Sequence, residues 1–358
     1  MKHSFFNLLK KTLYWLCLLH LYLRLEHFVG WKRSVISLCF HSTPESVTSE
    51  AISILERGTS RKSFENQIEI LSKWLQPIDD QQLLNWFRRT TSLKKDGLLV
   101  TFDDGYKNNQ TVATPILQSK GVPGLIFIPT GFISCRKRFW WSRLSDAMRA
   151  MEPNQWKSLG DKQLPSDILK VVADEDLANW SSRKKARRRI ALWLNQNGTS
   201  NSVIQAIESV TTPQHDPNMA LLNWDDIKTL SSSGVIHFGS HTHTHPSLTQ
   251  LTTLEIGSEL QAGSESFKEH LGSLPLSLAY PGGHVDQRVE NQAADAGFLL
   301  AFTTQQGIIR QSMNRLQLPR LYLGFSKPYE IYFSLVLINL AKYAPARFEA
   351  TILRLARS

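Results

Sequence analysis

Cysteine is scarce in this chain of 358 residues: Cys17, Cys39 and Cys135 stand far apart, and no two of them form a CxxC pair. That spacing excludes a disulfide-stapled scaffold and a thiolate metal centre, and it fits a reducing compartment. Internal repeats and low-complexity tracts are also missing, which removes the solenoid and compositionally biased classes. Long apolar runs are short of what a membrane span requires, about 20 residues. The nearest approach is the run 13–23 behind Lys10 and Lys11, where His20 interrupts, Arg24 ends the run and no small-residue cleavage site follows. Acidic residues are outnumbered, 31 against 41 Lys and Arg, and the net charge of +10 favours an anionic partner: a phosphorylated lipid, an acidic polymer, a membrane surface or nucleic acid.

What is present is a globular composition, since 42% hydrophobic residues in a chain of this length fill a substantial core. Residues 1–30 read as an apolar and basic segment, an interfacial or core-packed helix in preference to a span. Residues 326–358 read as a C-terminal basic helical segment, apolar over 329–340 and then carrying Arg347, Arg354 and Arg357. Packing on the domain and peripheral membrane contact are both open for it. The expected location is the cytoplasm or the inner face of the cell membrane.

Between these ends, β-rich runs recur at 35–40, 98–102, 125–128, 235–239, 276–280, 299–303 and 316–323. Helical patterns at 63–74 and 112–119 separate them, the second ending at Lys120-Gly121. Alternating strand and helix predicts a parallel sheet covered by helices, closed as a barrel. Residues of about 136–214 break this rhythm and read as a helical insertion within a domain spanning 31–325. The insertion carries a basic run at 183–189, which invites a nucleic-acid reading, but the apolar stretch 190–194 follows directly. The solvated face of an amphipathic helix accounts for it, so a nucleic-acid partner is not expected.

Three clusters carry chemistry. Thr101-Phe102-Asp103-Asp104-Gly105-Tyr106 sets two adjacent carboxylates at the end of an apolar strand, where burial demands a cation or hydrogen bonds. Ser240-His241-Thr242-His243-Thr244-His245 holds three imidazoles in five residues. An extended chain would point all three to one face, whereas a turn would bring the first and last together. Imidazole and carboxylate together are the ordinary ligands of zinc and similar cations. Leu278-Ala279-Tyr280-Pro281-Gly282-Gly283-His284 closes a strand with a tight turn, which can aim backbone N–H groups at a developing oxyanion.

In this order and spacing the three clusters resemble the polysaccharide deacetylases of the NodB-homology type, carbohydrate esterase family 4. The likeness extends over residues 35–325 apart from the insertion, and includes Leu318-Pro319-Arg320 near its end. It implies an α/β fold, an irregular (β/α)7 barrel with a helical insertion, and hydrolysis of the N-acetyl group of an amino sugar such as N-acetylglucosamine in a polysaccharide, oligosaccharide or glycolipid precursor. By motif position it implies one divalent metal ion on Asp104, His241 and His245, with zinc expected and cobalt, nickel or iron as alternatives. It further implies Asp103 as catalytic base and the Gly282 N–H as oxyanion donor. Tyr106, Tyr280, Pro281, Gly283, His41 and His284 become candidates for contact with the N-acetylated carbohydrate.

Two departures stand out. The family's third motif carries an arginine that tethers the base, and here Ala279 stands at that place. Arg320 can supply the charge from another strand, or it can serve a structural ion pair. No histidine follows His284, so the general acid is unassigned between His41 and His284. These departures keep alive a catalytically impaired carbohydrate-binding member of the same fold. An amidohydrolase-like metallohydrolase is the other alternative, disfavoured because its His-x-His pair lies on the first barrel strand.

Overall fold

The computed structural model describes residues 33–46, 58–135, 137–162, 164–174, 179–197, 201–213, 215–323, 327–343 and 346–355, so the apolar segment 1–30 lies outside the described residues. Six parallel strands carry the fold: β1 (Val35–Phe40), β3 (Gly97–Phe102), β4 (Gly124–Ile128), β5 (Ile236–Ser240), β6 (Ser277–Ala279) and β7 (Leu300–Phe302) lie side by side in that order. A two-residue strand, β2 (Gln76–Pro77), pairs with the start of β3.

β1, β3 and β4 are buried along their whole length, which is why they read as nearly continuous apolar runs. The alternation of strand side chains survives as a choice of neighbour. Ile36, Leu38, Phe40, Leu98, Val100 and Phe102 pack outward in the cluster shared with helices, while Val35, Leu99, Leu125 and Phe127 pack inward. Thr101 and Asp103, two and four residues beyond Leu99, therefore fall on the inner face at the strand's C-terminal end.

The outer layer is built from α1 (Arg61–Trp74), α3 (Thr114–Lys120, preceded by a π-helical turn at Asn109–Ala113), α10 (Trp224–Ser232), α11 (Thr253–Leu271) and α12 (Gln287–Asp295). Their starts follow ordinary capping chemistry, with Asn223 and Asp226 reciprocally capping α10 and Thr252 and Glu255 capping α11. α2 (Asp80–Phe87) instead places Leu83, Leu84 and Trp86 with the inward-facing residues.

Closure between β7 and β1 differs from the regular strand expected at 316–323. The segment is extended and bridges both edges: Leu318 N–H donates to Ala301 O at 2.8 Å, and Leu321 N–H donates to Ser37 O at 2.7 Å. Pro319 between them has no N–H, so a continuous ladder cannot form across it. The chain thus forms the expected α/β architecture, an irregular (β/α)7 barrel whose parallel sheet is curled and closed by an irregular segment.

Residues 137–213 form helices alone among the described residues: α4 (Thr130–Cys135) leads into α5 (Trp140–Ala150), α6 (Pro153–Ser158), α7 (Ser166–Asp174), α8 (Trp180–Asn197) and α9 (Asn201–Glu208). They enclose a separate apolar cluster that includes Met148, Trp156, Ile168, Ile190 and Ile204. The basic run on α8 is not uniformly solvated as expected, because Arg187 is 4% exposed and Ala186 is buried, while Lys185, Arg188 and Arg189 face solvent. α13 (Pro328–Tyr343) lays Ile331, Leu335, Ile338 and Ala341 on the outer core, the spacing of one helix face, and α14 (Ala346–Leu355) packs against it. Among the described residues no helix is long and apolar enough to cross a membrane.

Candidate active site

β3 ends where the polar chemistry begins. Asp103 N–H is still bonded to Phe40 O at 2.9 Å, and then the chain turns through Asp104 and Gly105 with φ of 73° and 69°. Aspartate tolerates the left-handed region better than most residues, at a cost of about 1 kcal/mol. Gly105 is required, since a Cβ there would also approach Ile128 Cγ2 to 3.0 Å. The turn sends the two neighbouring carboxylates to different partners.

Asp104 meets the histidines that follow β5. Its Oδ1 lies 3.6 Å from His241 Nε2 and 3.3 Å from His245 Nε2. Ligands held about 2.1 Å from a tetrahedral cation stand roughly 3.4 Å apart, so these separations fit a divalent cation. The three ligand atoms all lie within 4.8 Å of one another, and Asp104 Oδ1 is buried with no hydrogen-bond partner. A buried carboxylate oxygen without a donor is costly unless a cation answers it.

The His241 imidazole is held with its Nε2 as an acceptor. His241 Nδ1 is 2.7 Å from Ala279 O; a carbonyl only accepts, so Nδ1 carries the proton and the Nε2 lone pair faces Asp104. Burial pushes the His241 imidazolium down to about 4, against the opposing pull of Asp103. The loop that follows turns through Thr242 and His245, with φ of 65° and 59°, which realises the turn rather than the extended alternative. His243 is swung away and bonds Thr130 Oγ1 through Nδ1 at 2.9 Å. Glu259 of α11 fixes the loop by accepting from His243 N–H at 3.1 Å and Thr244 N–H at 2.8 Å.

Asp103 meets Arg320 instead. The guanidinium, fully buried, donates from Nη1 to Oδ1 and from Nη2 to Oδ2, both at 2.7 Å, and from Nε to Thr303 O at 2.9 Å. Its Nη1 also reaches Thr101 Oγ1 at 3.2 Å. Burial would raise the Asp103 carboxyl, but the Arg320 charge, with His241 and the two Arg320 hydrogen bonds, holds it well below the usual carboxylate range. The charge missing at Ala279 therefore arrives from the irregular closing segment.

β6 ends in the turn Pro281–Gly283, where Gly282 adopts φ of 66° and Thr304 Oγ1 donates to Gly282 O at 3.1 Å. A Cβ on Gly283 would come within 2.2 Å of Thr304 Oγ1, so only glycine permits this approach of β6 to the loop after β7. Pro281, Gly282 and His284 line a cleft of about 530 Å³ together with His41, Asp103, Asp104, His241 and His245. His41 Nε2 is 3.9 Å from Asp103 Oδ2, and its Nδ1 is buried without a hydrogen-bond partner.

Tyr106, Tyr280 and Gly283 do not line the cleft, contrary to expectation. Tyr280 is buried and donates its hydroxyl to Leu316 O at 2.9 Å, and burial raises its phenol. Tyr106 is buried beneath Trp141, whose Nε1 donates to the Tyr106 hydroxyl at 3.4 Å. Sequence reasoning missed Trp140 and Trp141, which form part of the cleft wall from the start of the insertion. Trp141 stacks on Phe139 at 4.3 Å and meets the His245 ring edge-on at 5.1 Å. The Phe139-Trp140-Trp141 cluster beside an otherwise charged stretch was the available signal.

Comparison with known proteins adds to this geometry. The polysaccharide deacetylase family model matches residues 191–301, a segment that contains the histidine and Pro-Gly-Gly motifs but not the Asp-Asp turn. No curated protein matches the chain. Among solved structures, the chain is similar to the deacetylase PplD of Streptococcus pyogenes, crystallised with acetate: 15% identity, 82% of this chain and 93% of that one, TM-score 0.53. It is similar to IcaB of Ammonifex degensii at 16% identity over 91% of this chain and 98% of that one, TM-score 0.53. It is also similar to the BpsB deacetylase domain of Bordetella bronchiseptica at 14% identity over 81% and 95%, TM-score 0.52. These identities speak to the fold. What is shown is therefore a segment, residues 191–301, that matches the polysaccharide deacetylase family model, within a chain whose fold is similar to that of solved deacetylases.

Proposed function

We propose that this protein is a deacetylase that removes N-acetyl groups from an amino sugar in a polysaccharide, oligosaccharide or glycolipid precursor, using one divalent cation, zinc in the first instance, held by Asp104, His241 and His245. The observation that carries the reading is the buried Asp104 Oδ1, without a hydrogen-bond donor, facing two imidazole nitrogens beside a second carboxylate whose charge is already answered.

When bound there, a divalent cation supplies Lewis acidity, lowering the pKa of a water and polarising the acetyl carbonyl. The protein's own residues do the rest. Asp103 accepts the water's proton on a carboxylate lone pair that Arg320 leaves available, since each oxygen has two. Arg320 keeps Asp103 ionised and fixes its plane, which costs basicity, so the water must be acidified for the transfer to proceed. The Gly282 N–H, in a turn steadied by Thr304, stabilises the oxyanion. His41 and His284 both face the cleft and are the donors available to the leaving amine.

The direct test is acetate release from a panel of N-acetylglucosamine oligomers, peptidoglycan and lipid-linked saccharides, run with chelated and with zinc-loaded protein. Release that requires zinc on at least one of these substrates is expected. Zinc bound tightly with no acetate released from any of them would favour a carbohydrate-binding role for the domain.

A further inference from the structure

The catalytic groups stand at the C-terminal ends of the barrel strands; a second and larger cavity opens at the N-terminal ends. It has a volume of about 1040 Å³ and is bounded by Arg33 and Ser34 just before β1, the segment after α2, the loop around Arg310, and the end of α13. Three arginines therefore border it from separate stretches of chain, Arg33, Arg89 and Arg310, and no aspartate or glutamate is among its lining residues that the structure describes. Asp96, which bonds two of the lining residues, is taken by Lys342 at 2.8 and 3.0 Å and by Ser34 N–H at 2.8 Å. Thr91 and Ser92 add hydroxyls.

Arg89 supplies an independent sign. It follows Arg88, the C-cap of α2, and its φ is 59°, the left-handed position after a helix end that suits glycine. An arginine in that slot strains the backbone, and the residue borders the cavity. Gathering like charges around one cavity adds repulsion that an anion would relieve. Guanidinium forks match phosphate oxygens two at a time, and hydroxyls complete such sites.

We propose that this cavity binds a phosphate-bearing anion, either a soluble phosphate or diphosphate or the headgroup of a phosphorylated lipid. The site is separate from the deacetylase centre and does not depend on the assignment of that centre. It also gives the excess of basic residues, 41 against 31, a located use.

Two probes on the full chain distinguish the sources: titration calorimetry with inorganic pyrophosphate, and flotation with phosphatidylcholine vesicles with and without phosphatidic acid. Arg89→Gly is the informative variant, because glycine suits the backbone there and the melting temperature should hold or rise. Pyrophosphate binding that weakens tenfold or more in Arg89→Gly and in Arg33→Ala, but not in the exposed control Arg188→Ala, is the expected result for a soluble ligand. Flotation that requires phosphatidic acid and is lost in the same two variants is the expected result for a lipid headgroup. Binding that is absent with both probes, indifferent to Arg89→Gly and Arg33→Ala, or weakened equally by Arg188→Ala overturns the proposal.

Discussion

Asp103 and Asp104 are chain neighbours buried to the same degree, 2% and 3% exposed, yet the protein treats their charges in opposite ways. Asp103 receives two charge-assisted hydrogen bonds from Arg320, whereas Asp104 keeps an oxygen without a donor and turns it toward two imidazoles. A buried charge must be compensated, by protein or by something the protein binds. One half of the site is thus finished by the fold, and the other half is left for a ligand to finish. The proposed roles, proton acceptor for Asp103 and cation ligand for Asp104, rest on that division.

The largest effect should come from dismantling the cradle. His241→Ala and His245→Ala should each abolish tight zinc binding and bring acetate release to background, because two remaining ligands anchor a cation poorly. Full zinc occupancy in either variant, measured by metal analysis after dialysis, would remove that histidine from the ligand set.

Breaking the finished half should cost less and leave the other half standing. Arg320→Met frees Asp103 from its orienting partner, and turnover should fall by about 10²-fold while zinc affinity changes little. Stability should also drop by about 3–5 kcal/mol, since the variant strands a buried carboxylate. Turnover near that of the unmodified protein, with the stability loss present, would reduce the pair to an ion pair of structural value only.

Acid should separate the two halves by pH window. The His241 imidazolium is disfavoured in the fold, at about 4 against an ordinary value near 6.5, so the unfolded chain binds the extra proton first. Its contribution to metal-free stability is complete above pH 6.5 and is lost as pH falls toward 4, on the order of 3 kcal/mol in all. The depressed Asp103 contributes stability that persists through this window and fades only below about pH 4. Urea midpoints measured between pH 7 and 4.5 should fall more steeply for the unmodified protein than for His241→Asn.

The smallest effect belongs to His243, whose ring turns to Thr130 rather than to the cation cradle. His243→Ala should lower turnover by only a few-fold and leave zinc occupancy intact, and loss of zinc would enlarge the cradle by one ligand.

The elements that were legible in the sequence share a physical reason, as do those that were not. β1, β3 and β4 are buried on both faces, so each leaves an unbroken apolar run, while the two residues of β2, Gln76 and Pro77, leave no pattern at all. The run 316–323 looked like a strand because Leu318, Leu321 and Leu323 give it a buried apolar character, but Pro319 prevents the ladder. In the site, paired acids and clustered histidines are conspicuous because they are expensive to bury. Tyr106 and Tyr280 misled because membership in a motif does not say which way a side chain faces, and both face the core. Trp141 and Glu259 reach the histidine loop only through packing of the insertion and of α11, which no local pattern encodes.

The contrast between the two carboxylates is tested most directly by zinc titration of Asp103→Asn and Asp104→Asn side by side, with turnover recorded on the same preparations. Asp103→Asn should bind zinc almost as the unmodified protein does and lose most of its turnover, while Asp104→Asn should lose zinc first. The reverse pattern, zinc lost from Asp103→Asn and retained by Asp104→Asn, would contradict the assignment of the finished and unfinished halves.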